Sequence, residues 1–166
     1  RNDGNGLSSG HVRVYGYSGS NWSQLGSDID GEAAGDESGA SVSLSGDGTT
    51  LAIGAPSNDG NGIDAGHVRI YGYSGFGWSQ IGSDIDGSIA GEGFGKSVSL
   101  SRDGSIIGIG PTYYNSKVFG NSGSSWSQIG SDIMAGTDGF SLSGDGKVLA
   151  IGYIWDDGTY PVMNAD

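Results

Sequence analysis

GHVRVYGYSG, at residues 10–19, returns almost unchanged as GHVRIYGYSG at residues 66–75. WSQLGSDIDG, at residues 22–31, returns in the same way as WSQIGSDIDG at residues 78–87, so the repeat period is 56 residues. Self-similarity at a fixed period of this length indicates stacked structural units. Shorter third copies follow, with WSQIGSDI at 126–133 and FSLSGDG at 140–146, the latter repeating SVSLSGDG of 41–48 and SVSLSRDG of 97–104.

Each repeat predicts four short β-strands. Val42 and Leu44 alternate with serines, and Val68 and Ile70 alternate with polar side chains. Alternation with a period of two, bounded by Gly, Asn, Asp and Ser, is typical of strands. The predicted strands of the first repeat cover residues 22–29, 40–45, 50–55 and 67–73. Strands at 11–17 and 159–164 open and close the chain, and the predicted total is 13 strands.

Four antiparallel strands per repeat predict an all-β fold of four-stranded blades in a propeller-like array of about three blades. We treat residues 1–166 as a single array, with a leading edge strand at 1–20 and blades at 21–76, 77–124 and 125–166. Closed propellers have about four to eight blades, so three blades leave two faces uncovered. We therefore expect a piece of a longer propeller, a ring closed by two chains, or copies stacked head to tail.

Composition narrows the classes of function. The chain holds 35 Gly and 27 Ser, but its 4 Trp, 8 Tyr and 4 Phe predict a folded protein in which small residues build turns. A formal net charge of −12 argues against binding nucleic acid or an anionic membrane. Cysteine is absent, which excludes disulfides and thiolate sites. No apolar run reaches the roughly 20 residues of a membrane-spanning helix, so no membrane span is predicted. Residue 1 is Arg rather than Met, so we expect a removed leader or a longer parent chain.

The motifs resemble the FG-GAP repeat family, which is named after a Phe-Gly before the second strand and a Gly-Ala-Pro after the third. Gly54, Ala55 and Pro56 form the second motif, and Phe94 and Gly95 form the first. The resemblance implies an integrin-α-like β-propeller of the kind found in secreted algal and bacterial proteins. An extracellular location, secreted or at the cell surface, follows from the same resemblance.

Calcium is the one metal that the sequence suggests. The resemblance implies a site in the loop between strands two and three, which here contains Ser43, Ser45 and Asp47. The spacing of carboxylates indicates instead residues 28–36 and their second copy, because hard oxygen ligands at alternate positions converge on calcium. The alternative is a solvated acidic loop. The candidate calcium ligands are Asp28, Asp30, Glu32, Asp36, Asp84, Asp86 and Glu92.

Aromatic residues recur with the repeat, and two roles are open to them. They stack on sugar rings in a lectin-like surface, or they pack between blades as core. Asn21 begins the only N-x-[ST] sequence and is a candidate glycosylation site in a secreted protein. The candidates for stacking on glycans are Tyr15, Tyr17, Tyr71, Tyr73, Trp22 and Trp78.

The opening strand at 11–17 lacks a blade of its own, so we expect it to add to the sheet edge of a neighbour. Positions that break the repeat are further candidates for contacts between chains. The candidates for self-association are His11, Val12, Val14, Tyr15, Tyr113, Tyr114 and Trp155.

These features predict a non-enzymatic, extracellular structural or adhesive module that self-associates through blade faces and edge strands, as a filament or a multi-chain propeller. Its expected partners are further copies of itself or the rest of a longer chain, together with glycans or cell-surface proteins. The alternative is a ligand-binding propeller, either lectin-like or active in calcium-dependent adhesion. An enzyme is disfavoured because the chain holds two His, no Cys and no acid–base pair outside the repeat.

Overall fold

The computed structural model describes residues 5–123, 125–133 and 139–152. Within these ranges the chain is all-β and no segment is helical. The described residues accordingly contain no helix that is long and apolar enough to cross a membrane. The strands are β1 (His11–Val12), β2 (Tyr15–Tyr17), β3 (Trp22–Gln24), β4 (Ile29–Asp30), β5 (Ser41–Leu44), β6 (Thr50–Ala55), β7 (His67–Tyr73), β8 (Trp78–Gln80), β9 (Ile85–Asp86), β10 (Ser97–Leu100), β11 (Ile106–Gly110), β12 (Lys117–Asn121), β13 (Trp126–Gln128), β14 (Gly139–Leu142) and β15 (Leu149–Gly152).

The predicted fold class is confirmed, and the strand count differs for a local reason. Fifteen described strands replace the 13 expected, because long predicted strands are divided in two. The strand predicted at 22–29 is divided into β3 and β4. Gly26 between them has a φ of 76°, which lies outside the range of extended backbone. The closing strand predicted at 159–164 lies outside the described residues.

Two complete sheets have the same strand order. The first blade is β5-β6-β7-β8, with β9 paired to β7, and the second blade is β10-β11-β12-β13. Before them lies a leading half-blade made of the pairs β1-β4 and β2-β3, and after them lies a trailing half-blade made of β14-β15. All ten strand pairings are antiparallel.

The hydrogen-bonded sheets are displaced by one strand from the units expected. The sequence predicts the Trp22 strand at the start of a blade with residues 40–73, but β3 pairs with β2. In the first blade the corresponding strand, β8, likewise pairs with the strand before it. A tight turn explains this, because the Ser74 amide donates to the Gly77 carbonyl at 3.0 Å and closes a hairpin. The first sheet therefore begins at Ser41 rather than at residue 21.

Each blade has an apolar face and a small-residue face in its first two strands. In the first blade, Val42 pairs with Ile53 and Leu44 with Leu51, so these side chains share one face. The opposite face carries serines and Ala52. The small-residue face of the first blade and the apolar face of the second form one core of Ala52, Val68, Ile70, Ile85, Phe94, Val98, Leu100, Ile107 and Ile109.

Serines on the small-residue face bond to the next blade instead of facing solvent. Ser43 Oγ accepts a hydrogen bond from the Leu100 amide at 2.9 Å, and Ser99 Oγ accepts one from the Leu142 amide at 2.9 Å. Ser41 Oγ donates to the Gly95 carbonyl at 2.7 Å. The alternation of serine with apolar residues thus serves contact between blades on both faces of the strand.

Gly108 occupies the closest approach between the second blade and the trailing half-blade. A Cβ atom built at this position would meet the ring of Phe140, so only glycine allows the ring to lie against the strand. The small residue on one sheet and the large residue on the next are therefore complementary in shape.

We expect Gly108→Ala to lower the free energy of unfolding by about 1–3 kcal/mol, because the added methyl group forces the Phe140 ring out of its packing position. Gly77→Ala is the matched control, since a Cβ atom there has no neighbour within 4 Å. Urea unfolding followed by tryptophan fluorescence measures both. Equal stability of the two variants would contradict this packing.

Candidate functional site

The largest group of charged side chains lies where the leading half-blade meets the first blade. Arg69 and His67 are neighbours on one face of β7, Asp84 precedes β9, and Glu32 follows β4. Arg69 donates from Nε to Asp84 at 3.1 Å and from a terminal nitrogen at 2.9 Å, and it also forms an ion pair with Glu32. Arg69 therefore joins the two units.

His67 lies inside this cluster and is almost fully buried. Its Nδ1 is 3.7 Å from Asp84 Oδ2 and 4.0 Å from Glu32 Oε2. Burial lowers the pKa of His67, and the charge of Arg69 lowers it further, against the opposing effect of Asp84, Glu32 and Asp86. Burial alone would lower the pKa of Arg69, but its bonds to the two carboxylates raise it.

Among the described residues, Glu32, His67 and Asp84 are the group whose ligand atoms lie close enough to hold a metal ion, within 4.8 Å of one another. Arg69 already bonds both carboxylates, so a cation would have to displace its guanidinium group. The arrangement acts as an ion pair between units, and sequence reasoning missed it because its members are distant in the chain.

The candidate calcium ligands do not come together as the spacing suggested. Asp28 accepts hydrogen bonds from Arg13 at 2.7 and 2.9 Å and from Gln24 at 2.8 Å, which lower its pKa to about 2. Asp30 and Asp86 lie on β4 and β9, opposite the histidines of the strands they pair with.

The last two candidate carboxylates are buried and stabilise turns. Asp36 accepts from the Ala33 amide and from Asn58, both at 3.0 Å. Glu92 occupies the corresponding position one repeat later and accepts from the amides of residues 88 and 89. Lys117 Nζ lies 3.4 Å from Glu92 and links it to the second blade. The described geometry thus gives these carboxylates protein partners, and calcium binding stays a prediction.

The aspartates of the loop between the first two strands of each blade also have a local role. Asp103 accepts from Ser101 Oγ at 2.6 Å and from the amide and hydroxyl of Ser105, and these bonds lower its pKa to about 2. Asp47 makes the same bonds one repeat earlier and also has a lowered pKa. These residues close tight turns.

The aromatic residues that recur with the repeat are partly covered in the second repeat and exposed in the first. Trp78 lies 5.1 Å from Tyr73 between ring centroids, and its Nε1 donates to the Leu25 carbonyl of the leading half-blade at 2.9 Å. Trp22 forms the same pair with Tyr17 at 5.2 Å but is 69% exposed. Tyr15 is also exposed, whereas its counterpart Tyr71 packs against the core. The glycan-stacking candidates of the second repeat are thus partly covered by packing between units.

Two of the candidates for self-association have buried side chains. Val12 and Val14 pack against Leu51 and Ile53, so their side chains are not available to a partner. Any part that these two residues take in association therefore falls to their backbone.

The other candidates differ in exposure. His11 and Tyr114 are half-buried, and Tyr113 is exposed. Trp155 lies outside the described residues. Asn21, the glycosylation candidate, lies exposed in the turn between β2 and β3.

The apolar face of the first blade is uncovered where that of the second blade is covered, in keeping with the expectation that three blades leave faces uncovered. Val42 is 52% exposed and Leu44 is 48% exposed, whereas Val98 and Leu100 in the second blade are both 7% exposed. The leading half-blade packs against β6 and against Tyr71 and Trp78, but it leaves the side chains of β5 exposed because it has no counterpart of β5 and β6 itself. The repeat copy that begins in mid-blade is the sequence signal that locates this surface.

The fold and these junctions define a β-propeller-like repeat protein. Residues 28–71 match the family model of the FG-GAP repeat, which confirms the resemblance for that part of the chain. A solved structure of hydrazine synthase from Kuenenia stuttgartiensis is similar over 84% of this chain, with 14% identity and a TM-score of 0.51. At that identity the similarity shows the fold alone, and it covers 34% of that chain, so this chain spans about a third of its length. No match is found among curated proteins.

We expect His67 to make stability depend on pH between about 7.5 and 5.5. Its pKa is lowered in the folded chain, so the unfolded chain binds the proton more readily, and stability falls as pH falls through the ordinary histidine value. The slope stays below about 1.4 kcal/mol per pH unit. Urea unfolding across this range measures it.

His67→Gln should remove this slope, and His11→Gln, at the same repeat position in the leading half-blade, is the control. A slope that survives in His67→Gln would show that another group causes it.

Proposed function

We propose that this chain is a non-enzymatic, extracellular structural or adhesive module that self-associates through its blade faces and edge strands. One observation carries the proposal: the apolar face of the first blade lacks the neighbour that covers the same face of the second blade. Exposed apolar surface of this kind favours association, because burying it removes apolar area from water.

The charged groups support the non-enzymatic part of the proposal. Glu32 and Asp84, the two carboxylates nearest the His67 ring, are both bonded to Arg69 and are therefore not free to act as a base. The extracellular part is supported by the match of residues 28–71 to the FG-GAP repeat and by the strongly acidic composition.

We expect light scattering to give a mass above 16.8 kDa that rises with protein concentration. Association should strengthen with added salt, because each copy carries a formal charge of −12 and salt screens the repulsion. A mass of one chain at every concentration and salt level would overturn self-association.

Val42→Asp should weaken association at least tenfold without lowering the melting temperature, because it places a carboxylate in the apolar contact but not in the core of the single chain. Ile63→Asp is the matched control, since Ile63 is 74% exposed in a loop and receives the same added charge. Sedimentation at several concentrations compares the two. Equal association of both variants would exclude the face that carries Val42.

A ligand-binding module is the second candidate, favoured by the exposed group of Tyr15, Tyr17 and Trp22. Such aromatic surfaces stack on sugar rings. A glycan array probed with dilute protein tests this candidate. Binding that is lost in Trp22→Ala would support it, and an array without binding would leave only the structural role.

A further inference from the structure

We propose that the leading half-blade of one copy completes the trailing half-blade of another, with β1 and β2 of one copy pairing to β15 of the other. This inference rests on the self-association proposed above and names its interface. It makes one hydrogen-bonded blade from two chains and requires no new type of contact.

The chain itself shows that these two sequences pair. LAIG at residues 51–54 lies in β6, and HVRIYGY forms β7, and the two strands are antiparallel neighbours in the first blade. The trailing strand β15 is also LAIG, and residues 11–17 read HVRVYGY. The trailing strand β15 and the leading segment 11–17 therefore have nearly the same sequences as two strands that already pair in the first blade.

Both edges are open among the described residues. β15 pairs only with β14, whereas β6 pairs with strands on both sides. β1 and β2 pair only with β4 and β3, whereas β7 also pairs with β6. Ala150 is exposed, although Ala52 at the same position in the first blade is fully buried. Open edges of this kind accept a strand of matching register.

The internal pairing fixes the register between copies. Leu51 lies opposite Tyr71 and Ile53 lies opposite Arg69 in the first blade. Leu149 and Ile151 of the trailing half-blade correspond to Leu51 and Ile53, and Tyr15 and Arg13 of the leading half-blade correspond to Tyr71 and Arg69. The corresponding pairs between copies are therefore Leu149 with Tyr15 and Ile151 with Arg13. A slip by one residue would turn every side chain to the wrong face, so this register is well specified.

Completion of the blade also covers the exposed apolar face. The small-residue face of the trailing half-blade, with Ser141 and Ala150, would lie against Val42 and Leu44 of the second copy. In the chain, Ser43 and Ser99 accept hydrogen bonds from the amides of Leu100 and Leu142. Ser141 is the next serine of this series, and the amide of Leu44 in the second copy is its matching donor.

Trp22 gains a partner by the same assembly. Trp78 packs on the leading half-blade and donates to the Leu25 carbonyl, and Trp126 packs against the core one repeat later. Ile129 follows Leu25 and Ile81 in this series and is 48% exposed. Trp22 of one copy, 69% exposed, would therefore cover Ile129 of the other. Two copies joined at both ends hold six blades, within the roughly four to eight of closed propellers.

Disulfide trapping tests the interface, because the natural chain has no cysteine. We would mix Arg13→Cys chains with Ile151→Cys chains that carry a size tag, and oxidise them with copper phenanthroline. Opposed residues of antiparallel strands have Cα atoms about 4.5–5.5 Å apart, within the range of a disulfide. Arg13→Cys mixed with Ala150→Cys is the control, because those side chains point to opposite faces.

We expect the mixed dimer to form at least fivefold faster for the first pair than for the control pair. Equal rates, or no mixed dimer in a sample whose association is shown by light scattering, would overturn this interface and leave self-association standing. A sample that stays one chain in size would overturn both. Blockage of β15 by the chain's own residues 153–166 would appear as association without trapping, and it would count against the proposal.

Substitution of Trp22 gives an independent readout. Trp22→Ala should weaken association at least tenfold, since a buried tryptophan is a typical interface anchor. Phe76→Ala is the control, because Phe76 is 94% exposed in the turn between β7 and β8. Association unchanged in Trp22→Ala would contradict its contact with Ile129.

Discussion

Packing between consecutive blades is the interaction on which this structure depends, because no blade buries its own apolar face. Large side chains such as Ile107 need the small-residue face of the blade before them, and Gly108 on the other side leaves room for Phe140. Serine hydroxyl groups such as Ser43 accept hydrogen bonds from the next blade in the same contact. Stability in such arrays is therefore a property of neighbouring units and not of one unit alone.

Two of the few cations of this acidic chain lie at the same junctions. The sequence holds 7 Lys and Arg against 19 Asp and Glu, and two of the cations reach back to a carboxylate of the preceding unit. Arg69 bonds Glu32, and Lys117 lies beside Glu92. Arg13 occupies the same strand position and pairs with Asp28 of its own half-blade. The recurring acidic segments thus supply partners for cations and caps for turns.

The repeat made the strands and the all-β class predictable, because alternation and turn residues act locally. What could not be predicted is which strand joins which sheet, since the pairing of β8 with β7 depends on a hairpin turn and on packing against Leu25. The spacing of Asp28 and Asp30 predicts calcium ligands, but in the structure Asp28 accepts hydrogen bonds from Arg13. The strand pairing and the partner of Asp28 both depend on contacts between segments that are distant in the chain.

The contact between units is intramolecular within one copy, whereas in the proposed assembly the same contact between copies would depend on protein concentration. Within one copy, the leading half-blade and the first blade are tethered by a short segment, so their effective concentration is high and packing of Val12 on Leu51 is complete. In the proposed assembly, the same pairing between copies would have no tether and would have to overcome the loss of translational freedom. The strength of that association would then be set by how well the exposed Val42 and Trp22 are covered.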